Sequence, residues 1–359
     1  MKQILCLSYS PWQAHPNRTQ QLLTRLTDAR ILCIEPAPPK GSPRPEQGRR
    51  VRAHITAYTL PTPLPSLREH SLLQKRKLDK ATNFIQQTMD HHHFRDPVLW
   101  ATAPFHAWFL DKLAYRGVVY DCHRFWDEAY SDLENDLARH SEVVFAASTG
   151  LIRHLSPHND NIALLPNGVN PLLFAQQDHP VPDALKGLSG RAMLGRAGTV
   201  STRLDLEPLL YAARHRPEWT FVLIGRTSSQ AVQVLRGQVN IVPLGQVNPL
   251  DLPDYLCRCD LLFDLLRLDR LGSDVLPSVI YEYLAAGKPV VRVADPNVED
   301  VLPQLIYTAY DGSGFVRCCR EALSDAPADS ARRRTFAQQS SWAGRAGQVS
   351  GILEATGLF

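Results

Sequence analysis

The sequence predicts an α/β protein of two Rossmann-like domains with parallel sheets, facing one another. Three observations carry that prediction. Short apolar runs alternate with amphipathic helical stretches up to residue 165, and the same alternation restarts at residue 191. A polar, proline-containing stretch, 176–190, separates the two sets. Strands alternating with helices call for parallel βαβ units, and two sets of about six strands each call for two doubly wound sheets. A chain of 359 residues is long enough for each to bury its own core.

In chain order, the strand candidates of the first half are 3–8, 30–35, 98–102, 117–121, 142–147 and 161–165, with amphipathic helices over 19–27 and 71–89. The segment 36–65 is rich in Pro, Gly and Arg and reads as a surface excursion carrying one short strand, 52–58. The second half offers strands at 191–196, 220–225, 240–244, 260–265, 289–294 and 305–309, and a closing helix over 332–353. The domains expected are therefore 1–172, a linker 173–190, 191–340, and a final helix 341–359.

Composition narrows the function class. Hydrophobic residues make up 44% and charged residues 21%, which is globular. A net charge of +3 gives no footprint for nucleic acid. No apolar run reaches the ~18 residues of a membrane helix, and the N-terminal run is too short for a signal peptide. The seven cysteines lack zinc-like spacing and read as free thiols of a reducing compartment, so a cytoplasmic location is expected.

The most informative stretch is 274–291, DVLPSVIYEYLAAGKPVV. Pro277 suits a first helical turn, Ile280, Leu284 and Ala285 form an apolar stripe, and Gly287 sits where a left-handed cap belongs. The helix start at Pro277 and Ser278 is a ready anion site. Asp274 precedes it, and Glu282 follows where a carboxylate can accept two hydrogen bonds from a ribose diol. Phosphate at one end and ribose at the other describe a nucleotide. After strand 191–196, Gly198 lets backbone approach a phosphate, Thr199 and Ser201 can donate, and Arg203 can clamp a diphosphate bidentately. Arg226, after strand 220–225, is the candidate for a second cation. The plainer alternative makes Arg203 a surface charge paired with Asp205.

In the first half, Trp12, His15 and Arg18 follow the first strand, where a parallel sheet opens its crevice. Arg18 at a helix start is electrostatically disfavoured, which suggests service to an anion. Asp121 and His123 follow strand 117–121. His123 has the intrinsic pKa of a general base, and Asp121 is either a site acid or a helix cap. His91, His92 and His93 are adjacent in sequence and do not converge on one ion, and Asp251 and Asp254, separated by a proline at a helix start, lack D-x-D spacing. No metal site is expected. Lys75, Arg76, Lys77 and Lys80, with Arg49, Arg50 and Arg52, form either a solvated face or a peripheral membrane contact.

Stretch 274–291 resembles the donor motif of GT-B glycosyltransferases of the retaining, family-4 kind: Glu282, Tyr283, Leu284, Ala285, Ala286, Gly287, Lys288, Pro289 and Val290 match its second half, with Asp274 in place of the first glutamate. Leu165-Pro-Asn-Gly-Val-Asn170 is similar to their P-N-G-V-D linker. Ala197-Gly-Thr-Val resembles the first strand-loop of their nucleotide domain, and Asn240-Ile-Val-Pro-Leu-Gly245 their N-V-x-x-L-G segment. Val119-Tyr-Asp-Cys-His-Arg-Phe-Trp126 is similar to the Y-D-C-x-D-x-W tract of the teichuronic-acid and exopolysaccharide subgroup, with Arg124 replacing the second acid. Ser10-Pro11-Trp12 stands where a glycine-rich turn is usual. The resemblance implies the GT-B fold, with the last helix crossing back onto the first domain. It also implies transfer of a sugar from a nucleoside-diphosphate donor to a saccharide or lipid-linked acceptor, with retention, without metal or cofactor, in cell-surface polysaccharide synthesis. The catalytic residues would be Asp121, His123 and Arg203. A non-catalytic nucleotide-sugar-binding partner and a non-hydrolysing nucleotide-sugar epimerase are the rival readings.

Overall fold

A computed structural model describes residues 2–12, 16–39, 41–176, 178–188, 192–201, 204–266, 274–296 and 301–359. The chain forms two compact units, 1–166 with 343–359, and 167–342.

The first unit holds β1 (Lys2–Leu7), β2 (Ala29–Glu35), β3 (Arg49–Arg52), β4 (Ile55–Thr59), β5 (Val98–Ala101), β6 (Gly117–Cys122), β7 (Ser141–Ala146) and β8 (Ile162–Leu164). Its helices are α1 (Arg18–Leu23), α2 (Ser71–His91), α3 (Ser131–Arg139) and α4 (Thr149–Leu155). The sheet order is β3-β4-β2-β1-β5-β6-β7-β8, parallel except for β3. Strands β5 and β6 are buried at every position, as continuous apolar runs covered on both faces must be. The excursion differs from expectation. Instead of one strand, β3 and β4 form a hairpin whose outer strand carries Arg49, Arg50 and Arg52 on the sheet edge. Charged edge residues discourage further strand pairing, which suits that position.

The second unit holds β9 (Ala192–Ala197), β10 (Trp219–Ile224), β11 (Ile241–Gly245), β12 (Leu261–Asp264), β13 (Val290–Val293) and β14 (Ile306–Ala309). Its helices are α5 (Asp183–Lys186), α6 (Glu207–His215), α7 (Ser229–Leu235), α8 (Leu252–Arg258), α9 (Ser278–Ala285), α10 (Gly312–Ala322) and α11 (Pro327–Gln339). The order β11-β10-β9-β12-β13-β14 is parallel throughout. Phe174 and Leu185, within the expected linker 173–190, are buried in this unit's core.

The closing helix expected over 332–353 is two helices, α11 and α12 (Trp342–Ala355). Val169 bridges to Ser341: its N–H donates to the Ser340 carbonyl (3.1 Å) and its carbonyl accepts from Trp342 (2.9 Å), so the helical ladder stops there. Beyond the break, α12 packs in the first unit. Gln348 donates to the Leu164 carbonyl, Lys2 reaches Glu354 at 2.8 Å and lies over the Phe359 ring, and Leu358 sits where a Cβ on Gly117 would fall.

Candidate active site

In the second sheet the strand order reverses between β9 and β12, and a doubly wound sheet opens its ligand crevice beyond the carboxyl ends at that place. A buried ion pair marks it. Arg196, near the end of β9, lies 3.4 Å from Asp264, the last residue of β12. The Arg196 guanidinium also donates to the carbonyls of Gly198 (3.1 Å) and Thr199 (3.3 Å). Burial raises the Asp264 pKa and the Arg196 charge opposes that rise. Sequence reading missed both residues. The available signal was a charge at the end of each of two apolar runs, which by itself also fits a solvated strand end.

Three adjacent strand ends close on glycines in the left-handed region: Gly198 (φ +112), Gly225 (φ +139) and Gly245 (φ +76). Gly225 has no alternative, because a Cβ there would fall 2.4 Å from the Gly198 carbonyl oxygen. Gly198 donates to Ile224 (2.8 Å) and Gly225 to Gly245 (2.7 Å), so the three ends are drawn together. Gly198 and Thr199 remain exposed beside them. Arg226 is exposed, with Nε donating to Gln246 at 3.1 Å. Arg203 lies outside the described residues.

Helix α9 begins at the same place. Pro277 is its N-cap and offers no side-chain capping bond, which suits that end to an anion. The buried Tyr283 fixes the helix, its hydroxyl accepting the Ala197 N–H at 2.7 Å from the end of β9. A small cleft lies among Asp264, Leu276, Pro277, Ile280 and Arg292. Ser278 is exposed and Asp274 half-buried. Glu282 is half-buried on α9, and the surrounding protein pushes its carboxyl pKa up to about 7 by desolvation.

The first unit brings its candidates together differently from expectation. Arg18 and Asp121 are both buried and paired with each other, Nε to Oδ1 at 2.8 Å. Arg18 therefore has a protein carboxylate as its anion, and Asp121 caps no helix. The reason is tertiary: α1 starts at Arg18, its end capped by Asn17 and Gln20, and lays that side chain over the end of β6. Trp12 donates its backbone N–H to Glu35 at 2.6 Å. Glu35, missed in the sequence, also takes Arg49 (2.5 Å) and Thr59 (3.0 Å). His15 lies outside the described residues.

His123 is held by its Nδ1, 3.2 Å from the Asp121 carbonyl, and its ring lies 4.8 Å from that of Tyr9. Desolvation lowers its pKa, which favours the neutral imidazole, the form a general base needs. Tyr9 follows β1 and donates its N–H to Thr102 after β5, where this sheet's order also reverses. Thr102 in turn donates to Nδ1 of the buried His106, whose pKa burial depresses to about 3. Among the described residues, no group of three His, Cys, Asp or Glu is arranged to hold a metal ion.

No family model matches the chain. It is 25% identical over 272 residues to TuaH of Bacillus subtilis (strain 168), assigned as a teichuronic acid biosynthesis glycosyltransferase, with 68% of each chain covered. Its fold matches sucrose-phosphate synthase from Thermosynechococcus elongatus with a TM-score of 0.76 at 15% identity, over 99% of both chains. It matches Anabaena HepE, solved in complex with UDP-glucose, with a TM-score of 0.72 at 16% identity, over 99% of this chain and 100% of that one. The fold is that of the GT-B glycosyltransferases.

Proposed function

We infer that this chain, a glycosyltransferase by fold and by its relationship to TuaH, moves a sugar from a nucleoside-diphosphate donor to a saccharide or lipid-linked acceptor. The observation that carries the reading is the second unit's switch point, where three glycine-closed strand ends are drawn together and α9 begins after β12. Exposed backbone at Gly198 and Thr199 and the helix end at Pro277 and Ser278 suit a diphosphate, and Glu282 suits its ribose. Asp274 would contact the donor sugar. Arg196 shapes the loop from beneath, so it is a positioning residue. Arg203 and Arg226 would hold charge that grows on the leaving diphosphate, which lets departure proceed without a metal or other cofactor. Acceptor chemistry belongs to the first unit, with His123 receiving or positioning the hydroxyl and Trp12 and His15 assigned to acceptor contact. Retention, with the donor phosphate helping to take the proton, fits the pairing of Asp121 with Arg18, which withdraws that carboxylate from service as a base. The setting we assign is cell-surface polysaccharide synthesis on the cytoplasmic side of a membrane.

Purified protein, incubated with single nucleotide sugars and a crude saccharide or lipid acceptor fraction, should release nucleoside diphosphate from one of them. The rate should hold in EDTA. Binding without release under every acceptor condition would mean a non-catalytic partner, and an isomerised sugar nucleotide would mean an epimerase.

A further inference from the structure

Helix α2 is only half attached to the first unit. Its buried residues are Ala81, Ile85, Thr88 and Met89, so none of its first ten residues, 71–80, is buried. That overhang is about 15 Å of helix at 1.5 Å per residue. Such an end has little tertiary packing to hold it, yet it carries two of the chain's most exposed leucines, Leu72 (66%) and Leu73 (47%), with Leu67 (37%) in the turn before it. Three exposed leucines so close together are a patch rather than scattered surface residues.

The charges around the leucines are predominantly positive. Lys77 pairs with Glu69 at 2.6 Å and drops out, as does Arg49, which pairs with Glu35. That leaves Arg68, Lys75, Arg76 and Lys80, all exposed, against Asp79. This stretch therefore carries an excess of three positive charges. At about 100° per residue, Leu72, Arg76, Lys80 and Leu73 fall within roughly a 100° arc, and Ala81 and Ile85 point the opposite way.

We propose that the overhanging half of α2, with Leu67 and Arg68 before it, docks on an anionic lipid surface, the leucines entering the interface and the basic residues meeting phosphate headgroups. Apolar tips ringed by basic side chains on a single helix face are the chemistry of an interfacial helix. A protein groove would also take the leucines, but the net positive charge around them favours an extended sheet of anions. The docking would place the first unit against a bilayer and give it access to an acceptor carried there. It holds whether or not the donor assignment above is right, because it is read by binding and not by turnover.

The test is co-sedimentation of the full chain with phosphatidylcholine vesicles, with and without phosphatidylglycerol. Binding should require phosphatidylglycerol and weaken steeply with salt. Each basic residue contributes roughly fivefold to partitioning, so Lys75→Ala/Arg76→Ala/Lys80→Ala should lower it on the order of a hundredfold. Leu72→Gln/Leu73→Gln should lower it too while leaving the salt dependence in place. Neither variant touches a buried residue, so both should fold, and circular dichroism verifies this. Absence of binding to anionic vesicles, or binding unchanged in both variants, overturns the proposal. So does self-association that the leucine variant abolishes while vesicles stay unbound, which would make the patch a protein contact.

Discussion

Glu282→Gln separates a nucleotide-binding carboxylate from an ordinary helix residue, because the two make opposite predictions about stability. A carboxyl raised from 4.5 to about 7 by desolvation is destabilising when charged. The rise corresponds to about 3 kcal/mol at most, and the partial exposure of the side chain brings the expected figure nearer ~2 kcal/mol. The sign follows from linkage. The stability contribution of the protonated group is fully present below pH 4.5 and is lost as pH rises through about 7. Glutamine stays neutral throughout, so Glu282→Gln should unfold at a higher temperature than the wild type at pH 8, by roughly 5 °C, and at about the same temperature at pH 4.5. Binding should move the other way. A charged acceptor to a ribose diol is worth about 1.5–3 kcal/mol, so the variant should bind nucleoside diphosphate about ten- to a hundredfold more weakly at pH 8. Wild-type affinity should also decline as pH falls below about 7, while that of the variant stays flat. Calorimetric scans and titrations at the two pH values read both effects. A variant less stable than the wild type at pH 8, with unchanged nucleotide affinity, would refute the argument: the carboxylate would then be paired within the protein rather than held open for a ligand.

Other expectations follow from the same geometry. Gly225→Ala should abolish nucleotide binding and lower the melting temperature of the second unit, since its Cβ meets the Gly198 carbonyl at 2.4 Å with φ at +139; Gly187→Ala, where nothing lies within 4 Å, is the control. Arg18→Met should cost the first unit about 3–5 kcal/mol in denaturant titrations by leaving Asp121 buried and charged without its partner, and the double change with Asp121→Asn should recover part of it. Arg203→Ala and Arg226→Ala should lower kcat by about 10²–10³ with a smaller change in donor affinity, and lysine at 203 should restore it only partly; wild-type kcat in both would place the diphosphate elsewhere.

The sequence by itself determined the elements that rest on local chemistry. Alternating apolar runs specified nearly every strand of both sheets, since strands covered on both faces must be continuous and apolar. Pro277 and Gly287 bracketed α9 because one suits the start of a helix and the other adopts φ +72 at its end. The motifs in 165–170, 197–200 and 274–291 were enough to indicate GT-B. What the tertiary structure decided depends on partners distant in sequence. Arg18 and Asp121 are 103 positions apart, and only the placement of α1 over β6 turns two candidate ligand contacts into one buried pair. Arg196 and Asp264 became an organising pair only because strand order reverses between β9 and β12. The first half of α2 is rich in charge, but Leu72, Leu73 and Leu78 carry apolar side chains into it, so the pattern could not reveal that the first ten residues stand clear of the core. The α11–α12 break has the same origin: the sequence between Gln339 and Trp342 contains no proline or glycine, and the helix stops because Val169 occupies its backbone groups.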